Sequence, residues 1–119
     1  MEELVARLVA NVGVNRTAAE KSVGIILDFL RKEGPADKVQ ALIDRLPGAE
    51  ALLKSQSSDG GGFAMGGIMG AGTKMMAAGL SMGQVQGVTK EVIAYSREKA
   101  GEDAIGEIVG AIPGLSQFV

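Results

Sequence analysis

The sequence predicts an all-α fold, a pseudo-twofold bundle of about six helices made from two tandem three-helix units that pack as one domain. Three observations predict it. Apolar residues recur at helical spacing, and no segment alternates with the period of a strand. The interior must be aliphatic, because 46% of residues are hydrophobic but only 3% are aromatic and tryptophan is absent. Finally, the two halves of the chain repeat one pattern: Gly13 falls on Gly79, a shift of 79 − 13 = 66, and Arg31 on Arg97, Asp37 on Asp103 and Pro47-Gly48 on Pro113-Gly114 follow at that shift. Apolar positions agree as well, with Val14 on Leu80, Ile26 on Val92, Phe29 on Tyr95 and Leu42 on Ile108. The units are residues 2–53 and 68–119, joined by a polar, glycine-rich linker over 54–67 (KSQSSDGGGFAMGG). A unit of this size buries too little surface to be secure alone, so the two are expected to cover each other.

The first helix is expected over 2–11, with Leu4, Val5, Leu8 and Val9 facing the core and Glu2, Glu3 and Arg7 facing water. Gly13 can end it in the left-handed conformation. Asn15 or Thr17 can cap the second helix, Thr17-x-x-Glu20 having the form of a capping box, and this helix runs to Glu33 with Val23, Ile26, Phe29 and Leu30 buried. Gly34-Pro35 breaks the chain and starts the third helix, which carries Val39, Leu42, Ile43 and Leu46 up to Pro47-Gly48. One more helical turn is expected over 49–53. In the second unit the fourth helix spans about 68–78, Gly79 ends it, and Ser81-x-x-Gln84 forms a capping box for the fifth. The fifth helix buries Val85, Val88, Val92 and Tyr95 up to Ala100; Gly101 separates it from a sixth with Ile105, Ile108, Val109 and Ile112.

Composition excludes several chemistries. Cysteine and histidine are both absent, which removes disulfides, thiolate and imidazole metal sites, thiol nucleophiles and histidine-based triads. Twelve basic and fourteen acidic residues give a net charge of −2, no electrostatic footprint for nucleic acid or an anionic membrane. The opening MEELVARLVANVG carries acids where a signal peptide carries bases, so a cytoplasmic location is expected.

Four constellations carry sharper readings. Gly67–Lys74 (GIMGAGTK) nearly spells a phosphate-binding loop, but the hydroxyl residue Thr73 precedes the lysine, and no strand leads in; a linker entering a helix accounts for it. Met65, Met69, Met75, Met76 and Met82 are five of the six methionines; without cysteine or histidine beside them they read as core or interface filler rather than copper ligands. Gly66-x-x-x-Gly70, Gly67-x-x-x-Ala71 and Gly72 form a small-residue face in a segment too rich in glycine to span a membrane. Asp37 and Asp103 begin the third helix of each unit, where the helix dipole favours an acid, while Arg31 and Arg97 lie near helix C-termini, where it favours a base. No cofactor, metal or catalytic residue is expected, and the protein reads as a non-enzyme. The fourth helix, nearly all Gly, Ala and Met, is expected to lie centrally in the bundle or at a self-association surface. Gly70, Ala71, Met75, Ala77 and Ala78 are its contact residues.

The stretch LVARLVANVGVNRTAAEKSVGIILDFLRKEG resembles the helical half of the bacterial histone-like DNA-binding proteins, and Met75–Gly101 does so more weakly. That resemblance implies two interlocking helical hairpins; the basic strand arms with which the family holds DNA have no counterpart after Gly34. Across nearly its whole length the chain is similar to a group of small bacterial tandem-helical proteins catalogued only as a domain of unknown function. Its motifs are GPADKVQALIDRLPGAEALL and AGEDAIGEIVGAIPGLSQFV. The expected function is therefore protein interaction or scaffolding, through a protein partner or as a homo-oligomer, with nucleic-acid association as the alternative.

Overall fold

The computed structural model describes residues 2–46, 48–52 and 67–112. All regular structure among them is helical: α1 (Glu2–Asn11), α2 (Arg16–Glu33), α3 (Ala36–Asp44), α4 (Gly67–Ala77), α5 (Met82–Ala100) and α6 (Glu102–Ala111), with one helical turn over 49–52. Gly67, expected as the last linker residue, instead opens α4; linker residues 54–66, Pro47, Leu53 and the tail from Pro113, with Phe118, lie outside the described residues.

Local chemistry sets the boundaries. Gly13 and Gly79, at φ of 85° and 106°, end α1 and α4 in a conformation that side chains resist. Asn15 caps α2, its side chain accepting from the Ala18 N–H at 2.8 Å. Thr17 therefore lies inside α2, and Glu20 pairs with Arg16 at 3.2 Å; the capping box read at Thr17 does not form, because a cap two residues earlier had already claimed the helix start. Ser81 does form its box: its hydroxyl accepts from Gln84 N–H at 3.3 Å, and Gln84 Oε1 accepts from Ser81 N–H at 2.9 Å. The break before the third helix of each unit is made by different residues, Pro35 at φ −68° and Gly101 at φ 95°.

The core is one cluster, aliphatic apart from Phe29 and Tyr95, drawing on all six helices. Leu4, Leu8, Leu27, Leu30, Leu42, Ile43, Ile93, Ile105 and Ile108 are nearly or wholly removed from water. In the long helices burial repeats at the 66-residue shift. Ala19, Ser22, Val23, Ile26, Leu27, Phe29 and Leu30 are buried in α2, and so are Val85, Val88, Thr89, Val92, Ile93, Tyr95 and Ser96 in α5. The packing between units is crossed. α1 lies against α2 and also against α5, while α4 lies against α5 and also against α2; α2 meets α5, and α3 meets α6. Each short first helix thus spans its own long helix and the one from the other unit.

Two expectations about α1 need correction. Val9 is exposed rather than buried, leaving Leu4, Val5 and Leu8 as the buried stripe. Arg7 does not simply face water: it is half-buried against α5, because α1 packs on two long helices and not one.

Candidate interaction surface

The seam between α1 and α5 is the most chemically specified contact among the described residues. The two helices run antiparallel, since Gly13 and Val12 lie near the start of α5 and Arg7 lies near its end. Gln84 Nε2 donates to the Gly13 carbonyl at 3.4 Å. Val12 packs on Gly87 so closely that a β-carbon at position 87 would stand 3.3 Å from both Val12 methyl carbons, Cγ1 and Cγ2, and 3.8 Å from its Cβ. Glycine at 87 is what lets α1 come this near.

Further along, Arg7 reaches two carboxylates on one stripe of α5. Its Nη1 donates to Glu98 Oε2 at 3.0 Å, and its Nη2 stands 3.2 Å from Glu91 Oε2. The second contact is an ion pair off the line of a hydrogen bond, so this buried Glu91 oxygen has charge compensation without a hydrogen bond. The guanidinium also sits 5.6 Å above the buried Tyr95 ring, with Lys99 Nζ at 5.4 Å from the same ring. Desolvation works against the Arg7 charge, and the Glu98 hydrogen bond with the charges of Glu98 and Glu91 more than offsets it, holding the guanidinium above its usual range. Sequence reading missed this group. The available signal was the stripe Gly87, Glu91, Tyr95, Glu98 at spacings of four and three, which mixes charge with an aromatic ring on one helical face.

The α4 surface differs. Met75 is buried and Ala78 is partly buried against the core, whereas Thr73, Lys74, Met76 and Ala77 are exposed. The side chains of Gly70 and Ala71 lie outside the described residues. Of the five expected contact residues, the fold thus places Met75 and Ala78 against the body and Ala77 outward. α4 is also turned one residue from the 66-residue register. Met75 takes the inward position of Leu8 and Met76 the exposed position of Val9, a shift of 67, which puts Lys74 where α1 has Arg7. The large apolar side chains exposed among the described residues are Val9, Met76 and Met82.

Remaining expectations fall on ordinary surface positions. Asp37 and Asp103 are exposed in the first turns of α3 and α6. Arg31 stands 3.7 Å from Asp28, a largely buried acid that also pairs with Lys32 at 3.0 Å, while Arg97 is exposed at the end of α5. Lys38 of α3 pairs with Glu107 of α6 across the units. Among the described residues no three metal-ligating side chains gather, and no helix is long and apolar enough to cross a membrane. No protein-family model, curated protein or solved structure matches this chain.

Proposed function

We propose that the protein is a non-enzymatic helical interaction protein that associates with further copies of itself through the outward face of α4. One observation carries this reading. Met76 and Ala77 are exposed on a helix whose described part bears a single charge, Lys74. Met82, the first residue of α5, is exposed as well. An amphipathic surface helix normally turns charge outward; one that turns out methionine and alanine gains by being covered, and methionine suits an adaptable contact. The test is molar mass by light scattering over a range from micromolar to millimolar protein. The wild-type mass should climb from 12.2 kDa toward a multiple of it, and Met76→Glu should hold the protein at 12.2 kDa with an unchanged helical spectrum. A wild-type mass that stays at the monomer value throughout contradicts the reading.

Nucleic-acid association is the second reading. Its support is the interlock of α1 and α2 with α4 and α5, the arrangement implied by the histone-like resemblance. A net charge of −2 and the absence of a basic arm oppose it.

A further inference from the structure

We propose that the contact between the two units is a heterotypic docking surface, through which the first unit of one copy can take the second unit of another and form an exchanged dimer. It is a different surface from the outward face of α4 and does not depend on it. Among the described residues, the units meet through non-covalent contacts of α1 with α5, α4 with α2, α2 with α5, and α3 with α5 and α6. The same contacts are available between chains, so a dimer that exchanges units keeps these contacts of the described residues.

Two features of the α1–α5 seam make it choose a second unit rather than another first unit. The first is steric. Val12 fits best against glycine, because a β-carbon at position 87 would stand 3.3 Å from two of its methyl carbons and make it give way by a few tenths of an ångström. The residue at the corresponding place in α2, 66 positions earlier, is Lys21. Two first units would press Val12 onto a lysine stem. The second feature is charge. Arg7 is met by Glu91 and Glu98 on α5, whereas the corresponding α2 residues are Ile25 and Lys32. A pair of first units would leave Arg7 without its carboxylates and beside a like charge, which supplies rejection as well as attraction. The seam therefore favours the complementary unit, whether from the same chain or from a second copy. Joining two units by a short linker gives an effective concentration of about millimolar, so exchange is expected when chains fold together at comparable concentration.

The chain has no cysteine, which gives a direct test. Two full-length chains, one carrying Val12→Cys and the other Gly87→Cys, are unfolded together, refolded at high concentration and gently oxidised. Both also carry Met76→Glu, so that association through α4 is not counted. The 3.8 Å between β-carbons at 12 and 87 suits a disulfide. The expected product is a covalent dimer of one chain of each kind, linked 12 to 87, at a yield several-fold above that of either chain refolded alone. No mixed dimer, or equal linking of the Val12→Cys chain to itself, overturns the proposal. Because a cysteine at 87 crowds Val12, Met76→Glu chains with Val12 and Gly87 unchanged, bearing two different tags, are refolded together in parallel. Mixed dimers in the native mass spectrum support exchange, and tags that never share a particle contradict it.

Discussion

At position 101 the backbone adopts φ 95° and ψ 154°, a region that only glycine occupies without strain, while an added β-carbon would meet nothing within 4 Å. Any penalty for alanine there is thus backbone strain and not a clash. Gly101→Ala is expected to cost about 1–3 kcal/mol, seen as a melting temperature lower by several degrees, with the helical spectrum at low temperature retained. Ser96 presents the opposite situation. Its hydroxyl is buried with no hydrogen-bond partner at the place where α2 carries Leu30, whereas Ser22 donates to the Ala18 carbonyl at 2.7 Å and Thr89 to the Val85 carbonyl at 2.8 Å. Ser96→Ala removes a desolvated group that bonds to nothing. Thermal melts of this variant should show unchanged or raised stability, by up to about 1 kcal/mol, since an unmade buried hydrogen bond is a burden on the fold. A large loss would mean that the hydroxyl has a partner.

Elements with strong punctuation were legible in the sequence. The helices α1, α2, α3, α5 and α6 start and stop at or near the expected residues because caps, prolines and left-handed glycines act within a few residues of themselves. The Ser81 cap follows the same logic. Ser81→Ala removes the acceptor for Gln84 N–H and frees Gln84 from its return contact, so about 1 kcal/mol of stability should go, measured by denaturant titration. What was not legible came from packing between elements. Periodicity says that a helix has a wet side, but not that α1 has two long helices to cover, which is why Arg7 was read as solvent-facing and Val9 as core. In α4 the pattern of Gly, Ala and Met has too little contrast to fix the phase of the helix, and the chain settles with Met75 rather than Lys74 inward, one residue off the register of the repeat. The α5 stripe of Glu91, Tyr95 and Glu98 becomes a site only once Arg7 arrives from α1, 91 positions before Glu98 along the chain.

At the scale of the whole molecule, the two readings of function part on charge. Acids and bases are close to balanced, and several of the bases are already engaged, Arg7 with Glu91 and Glu98, Arg16 with Glu2 and Glu20, Lys32 with Asp28, and Lys38 with Glu107. Association with DNA at near-physiological salt would need uncommitted phosphate-binding cations arrayed on one face. At micromolar protein, duplex DNA should therefore run unshifted in a gel, and a shift that fades steeply with added salt would favour the nucleic-acid reading. The crossed packing joins the two units into one body, with α1 belonging as much to α5 of the other unit as to its own α2. The double variant Val12→Cys/Gly87→Cys tests that most directly, because the background holds no other thiol and the β-carbons at the two positions are 3.8 Å apart. Folded dilute and mildly oxidised, it should close an internal disulfide quickly and completely, giving a monomer that has lost both thiols and melts at a higher temperature than its reduced form. Thiols that stay free in the folded monomer, or that pair only after unfolding, would mean that α1 does not lie on α5.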